Sequence, residues 1–326
     1  MPAAPHRFTR PRRQALRLLA TGVGAAAWGP GWLHAAEATL PLAVVYPDIG
    51  APFREVFATI LEGIREHVRQ AVPGFAVASD AAVPALADEL RRREVRVVIA
   101  LGRSGLKAAR LLDSAVSVVA GCVLGVPEAQ AHDYTVHSLA PDPALVFAQL
   151  RRLLPATRRV FTVIDPQQNA WLLRLAQEAA RGQGLELVAH EASDLKRATR
   201  AYQDALAAVE PRRDALWLPQ DATTVEEATL LPMVLQESWQ RGFALVSSNA
   251  VHVKRGALFA LYPDNPALGR SLAQSALEAL ATPRRPARGL LPLREVLVAA
   301  NQRTAAHLGI TLDPRVQRID KLYPES

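Results

Sequence analysis

From Thr39 onward, short runs of β-branched and apolar residues alternate with longer segments of helical periodicity, and midway along the chain the series restarts. This alternation constrains the fold more than any motif does, because strands separated by helical segments build parallel sheets covered by helices. In the first half, strands are expected at Leu42 to Tyr46, Phe75 to Ala78, Val95 to Leu101 and Val116 to Ala120, and helices at Phe53 to Gln70, Val83 to Arg92 and Ser104 to Leu112. After Pro141-Asp142-Pro143 a helix should reach Leu154. Strands follow at Val160 to Ile164, Leu185 to His190, Ala215 to Leu218 and Phe243 to Ser247, with helices at Asn169 to Arg181, Asp194 to Val209 and Thr223 to Gln240.

Gly256 to Tyr262 reads as one more strand and Pro266 to Ala281 as a helix, before a Pro- and Arg-rich surface linker from Thr282 to Gly289. The strand pattern Leu293 to Ala299, isolated beyond that linker, is explained by a chain that returns to its first half. The expected fold class is therefore α/β, with two doubly wound parallel-sheet lobes joined by a hinge. The first lobe would take residues 39–138 and about 285–300, the second 139–284, with the tail 301–326 assigned to neither. A length of 326 residues fits two lobes better than one core, and no short tandem repeat is visible.

The formal charge of +7 would ordinarily point to nucleic acid, but its distribution argues otherwise. Five arginines, at 7, 10, 12, 13 and 17, stand against Glu37 in the first 38 residues, and without this segment the excess falls to +3. No nucleic-acid-binding signature accompanies it, so nucleic acid is not an expected partner.

Those first residues have the layout of an export signal: a basic region through Arg17, an apolar run from Leu18 to Ala27, and small residues ending in Ala36-Glu37-Ala38. The run is too short to span a bilayer of roughly 30 Å, so cleavage after Ala38, or alternatively Ala36, is expected rather than a retained anchor. Arg12-Arg13 resembles a twin-arginine motif, although Ala15 replaces the usual large apolar residue, so Tat and Sec export both stay open. Cys122 is the lone cysteine, which excludes an intrachain disulfide and leaves no lipid-attachment site near the cleavage point. A periplasmic location follows as the expectation.

The stretches Ala215-Leu216-Trp217-Leu218-Pro219-Gln220-Asp221, Phe243 through Ser248, Gly256-Ala257-Leu258, Leu268-Gly269 and Asn301 through Ile310, with weaker matches at Gly50-Ala51-Pro52-Phe53 and Leu101-Gly102-Arg103-Ser104, follow one another in a characteristic order. In them the chain resembles the ABC-transporter substrate-binding family that includes aromatic amino-acid binders. The resemblance implies a two-lobed type I periplasmic binding fold, a small-molecule ligand such as an amino acid or another carboxylate, and an inner-membrane ABC permease as partner. The rival reading is a periplasmic sensing subunit that regulates a membrane kinase or receptor without transport. Ala222, Arg103 and Tyr262-Pro263-Asp264 depart from the family pattern where a ligand would touch.

In doubly wound sheets, loops at the carboxyl ends of strands converge on one crevice. Four loops qualify: Tyr46 to Phe53, Gly102 to Gly105, Pro219 to Thr223 and Ser247 to Asn249. The candidate ligand residues are Gly50, Phe53, Arg103, Ser104, Asp221, Thr223, Ser247 and Ser248. Arg103 could pair bidentately with a carboxylate, or be a solvated charge. Asp221 could accept a ligand ammonium, or cap a helix, and Ser104, Thr223 and Ser248 could likewise be caps or turn residues. Trp171 and Tyr262 are further candidates for an apolar wall.

Catalysis has little support. Gly102-Arg103-Ser104-Gly105 lacks the last glycine of a nucleophile elbow, and neither His252 nor His307 has an orienting acid nearby in sequence. His132-Asp133 with His137 matches no standard zinc spacing, and no phosphate-loop motif exists, so no metal or cofactor is implied.

Overall fold

The structure, a computed structural model, describes residues 40–51, 53–125, 133–282 and 289–324; the expected export signal lies outside them. Leu42–Pro47 (β1), Gly74–Val77 (β2), Val97–Leu101 (β3), Ser117–Val123 (β4), Thr135–Pro141 (β5) and Gly289–Leu293 (β11) form one sheet in the order β11-β5-β4-β3-β1-β2. All its pairings are parallel. Arg159–Ile164 (β6), Glu186–Glu191 (β7), Asp214–Leu218 (β8), Ala244–Ser247 (β9), Phe259–Pro263 (β10), Val296–Asn301 (β12) and Lys321–Tyr323 (β13) form the second, in the order β13-β12-β10-β9-β8-β6-β7. There β10 and β12 are antiparallel and the other pairings parallel. The central strands Val-Val-Ile-Ala-Leu of β3 and Asp-Ala-Leu-Trp-Leu of β8 are buried throughout, as strands covered on both faces must be.

Helices Phe53–Val68 (α1), Val83–Arg92 (α2) and Gly102–Ala109 (α3) cover the first sheet. Pro143–Leu153 (α4), Pro166–Gly182 (α5), Leu195–Ala208 (α6), Leu230–Arg241 (α7) and Ala250–Arg255 (α8) belong with the second. Asn265–Ala281 (α9) was expected in the second lobe with the rest of 139–284, and the structure corrects this: α9 packs on α1 and contributes Leu268, Leu272, Ala273 and Ala276 to the first core. The contact is glycine-dependent. A Cβ on Gly63 would lie 2.1 Å from Pro266 O, and one on Gly269 would lie 2.2 Å from Ile60 O, so the two backbones approach to a distance that excludes any side chain there.

The expected strand Leu293 to Ala299 overlaps the end of one strand and most of another, and the larger part joins the second sheet rather than returning to the first lobe. β11 closes the first sheet and β12 enters the second, with Arg294-Glu295 between them. The first lobe also keeps the chain through Pro141, three residues beyond the expected boundary, because β5 pairs with β4 and β11, and its buried polar residues Thr135, His137 and Ser138 break the apolar pattern that marks a strand. His137 Nε2 lies 2.9 Å from Ser275 Oγ on α9, and the Ser138 hydroxyl donates to Leu124 O, so both are satisfied inside the lobe. The tail belongs to the second lobe. Gln302–His307 (α10) and Pro314–Gln317 (α11) pack there, and β13 pairs with β12 at the sheet edge.

The chain therefore crosses between the lobes at Asp142, at Asp264 and at Arg294-Glu295. These crossings are bonded side by side: Asp142 N donates to Leu293 O and Asp264 N to Glu295 O, both at 2.9 Å. Immediately after its crossing, each aspartate caps a helix, Asp142 accepting from Ala144 N and Asp264 from Ala267 N. Among the described residues no helix is long and apolar enough to cross a membrane.

Candidate functional site

A cleft of about 310 Å³ opens between the lobes at the carboxyl ends of their strands. The first lobe contributes Arg103, Leu124, Gly125 and Leu290, and the second contributes the turns after β6 and β8, including Asn169, Trp171, Gln220, Asp221 and Thr223. The position follows from parallel topology, which brings strand-to-helix turns to one edge of each sheet.

Arg103 stands in the first turn of α3, directly after Gly102, whose φ of +69° suits glycine and turns the chain sharply out of β3. Its side chain is exposed to the cleft, and no hydrogen bond or ion pair joins it to another described residue.

Asp221 is buried and its carboxylate is fully engaged. Oδ2 accepts from Asp165 N at 2.7 Å and Asn169 Nδ2 at 3.0 Å, while Oδ1 accepts from Thr223 N at 2.9 Å and Thr224 N at 3.1 Å. Four donors match the roughly four acceptor positions of an ionised carboxylate. Asp221 thereby holds the turn after β8 to the turn after β6. Asp165 reinforces this, accepting from Gln167 N and from Thr223 Oγ1. The same bonds explain why the helix expected from Thr223 begins at Leu230: Asp221 and then Glu226, which accepts from Ala228 N and Thr229 N, satisfy the backbone as turns.

Thr223 is thus at the cleft with its hydroxyl committed to Asp165. Ser247 and Ser248 are fully buried and do not line it. Ser248 Oγ accepts from Trp217 Nε1 at 3.1 Å, and Ser247 Oγ lies 2.8 Å from His252 Nδ1 and accepts from Asn249 N. Glu227 is 3.9 Å from the other ring nitrogen of His252, a Ser-His-Glu sequence of contacts, but the sealed serine has no open face for a substrate. Burial lowers the His252 pKa, opposed by Glu227 and assisted by Arg255. Gly50 and Phe53, the latter 61% exposed, lie at the start of α1 and are not among the cleft residues; Ser104 is an exposed residue of α3 beside Arg103. Tyr262 is half-buried and also outside the cleft lining.

Sequence reasoning overlooked Gln167, Gln168 and Asn169, which line the second wall together with Gln220 of the expected Pro219 to Thr223 loop. The signal was Asp165-Pro166 after an apolar strand, a capped helix start at a carboxyl edge; the expected helix began only at Asn169. Asn169 interrupts α5 with φ −130° and turns its amide onto Asp221. Trp171, nine-tenths buried in the same wall, has an indole N–H without a described acceptor. Of the metal candidates, His132 lies outside the described residues and His137 faces Ser275 in the first lobe; no group of three metal-ligating side chains occurs among the described residues.

No family model and no curated protein matches this chain. Solved structures do. The ligand-free, open structure of a substrate-binding protein with adhesive properties from Clostridium difficile aligns over 86% of this chain and 98% of its own, with 11% identity and a TM-score of 0.60. An ABC domain in complex with L-Trp from Streptococcus pneumonia aligns over 86% and 99%, with 14% identity and a TM-score of 0.51. A conserved domain protein from Vibrio cholerae covers the same shares with 16% identity and a TM-score of 0.52. This is the type I periplasmic-binding-protein fold. At such identities the likeness shows the fold alone.

Proposed function

We propose that this protein is an exported solute-binding component that captures a small molecule in its interlobe cleft and closes over it about the three crossings. The observation that carries this reading is the composition of the cleft, whose walls come from two separately cored lobes, with Arg103 on one side and Asn169, Gln220 and Asp221 on the other. A ligand that touches both walls gains contacts on closure, and that differential affinity is what shifts the open-closed equilibrium. The engaged turns around Asp221 make the second wall a preformed surface, so little ordering is spent on binding.

Residues 1–38 support periplasmic export, and the resemblance to transporter-associated binders supports an inner-membrane ABC permease as the recipient of the closed form. A fluorescence thermal-shift screen of amino acids, organic acids and nucleosides tests the binding role, since a ligand of the folded state must raise the melting temperature. A shift confirmed by calorimetry at one site per chain is expected. Absence of any shift across all classes at millimolar concentration would contradict it.

A further inference from the structure

Resting on that reading, we infer that the cleft selects small organic anions that carry no ammonium group, hydroxy acids rather than amino acids. Among the described residues that line the cleft, Arg103 is the one cation, and no ion pair or hydrogen bond joins it to another described residue. Asp221 is the one carboxylate, and its four acceptor positions are taken by Asp165 N, Asn169 Nδ2, Thr223 N and Thr224 N.

A zwitterionic ligand brings one charge of each sign into the closed cleft, and each needs a partner there. Its anionic end finds Arg103, whose planar fork suits a carboxylate. Its ammonium would have to displace one of four backbone or amide donors from Asp221, leaving that donor buried and unpaired. A hydroxyl in place of the ammonium meets no such conflict. Gln167 and Gln168, exposed on the facing wall, offer neutral amides that donate to or accept from a hydroxyl. The cleft thus offers neutral amides for a hydroxyl but, among the described residues, no unengaged carboxylate for a cation.

Matched pairs sharing a carbon skeleton test this: lactate against alanine, malate against aspartate, phenyllactate against phenylalanine and indolelactate against tryptophan, with glycerol 3-phosphate against glycerol to include phosphate as the anion. Isothermal calorimetry on the mature chain should show at least one anion binding, with its amino or neutral counterpart weaker by about tenfold or more, the scale of one charged hydrogen bond. Arg103→Gln should weaken that anion by a similar factor, while Asp221→Asn, which keeps a side chain at the turn, should not create a preference for the amino acid. Equal or tighter binding of the amino acids overturns the inference and leaves the solute-binding reading standing, as does binding of glycerol alone. If no member of any pair binds, the inference fails, while the solute-binding reading is decided by the wider thermal-shift screen.

Discussion

Arg294 Nε donates to Asp142 Oδ2 at 3.0 Å, joining the third crossing between the lobes to the first. The two ends of this pair are unequally placed, since the Arg294 side chain is 74% exposed and that of Asp142 only 7%. Asp142 also caps α4 through its other oxygen, so the buried partner does two tasks. Asp142→Ala should therefore lower stability by about 1–2 kcal/mol, a cap's value, and Arg294→Ala by less than about 1 kcal/mol, the value of an exposed pair. Urea unfolding of both variants checks the ranking, and the reverse order would contradict it.

The approach of α1 and α9 predicts an inverted helix-propensity effect. Alanine for glycine within a helix normally stabilises by about 1 kcal/mol. At Gly63 and Gly269 the new methyl would meet backbone oxygen at 2.1 and 2.2 Å, so the helices must part. Each substitution should instead destabilise by about 1–3 kcal/mol or more. A rise in the unfolding midpoint of Gly269→Ala would show that the helices do not pack this closely.

That contact also shows where sequence reasoning stops. Strand and helix periods in Val97 to Leu101 or Ala215 to Leu218 announce themselves because their environments are uniformly apolar. Which sheet a segment joins is decided by distant surfaces. The periodicity of Asn265 to Ala281 is the same on either lobe, and Gly269 reveals its partner only opposite Gly63. The two strands on either side of Arg294-Glu295 ran together because one charged pair reads as a loop tip or as an exposed strand face.

The site divides in the same way. Arg103, Asp221 and Thr223 stand at carboxyl edges of strands, which the strand pattern locates, and the structure brings them to one cleft. Ser247 and Ser248 stand at such an edge too, but they turn inward, because Trp217 Nε1 and His252 Nδ1 need partners in the core. Nothing in a linear chain tells a serine that faces a cleft from one that satisfies a buried ring.

Ser248→Ala offers a direct test of that inward role. It would leave the buried Trp217 indole N–H unpaired, at a cost of about 1–3 kcal/mol. Stability by urea unfolding should fall while calorimetric affinity for a confirmed ligand stays within a few-fold. Lost affinity with unchanged stability would move Ser248 into the binding surface.

His137 and His252 both have pKa values lowered chiefly by burial, opposed at His137 by Glu295 and Glu278 and at His252 by Glu227. A histidine held neutral in the folded state stabilises fully above its unfolded pKa of about 6.5 and loses that contribution as pH falls through its lower folded value. Urea midpoints should decline between pH 7.5 and 5, and His252→Gln should flatten the decline. An identical slope in the variant would remove His252 from the account.

Small-angle X-ray scattering with and without a calorimetrically confirmed ligand tests whether the two lobes close over a bound solute. A smaller radius of gyration is expected at saturation, as the lobes turn about Asp142, Asp264 and Arg294-Glu295 without internal change. A radius that stays the same with the site fully occupied would contradict it.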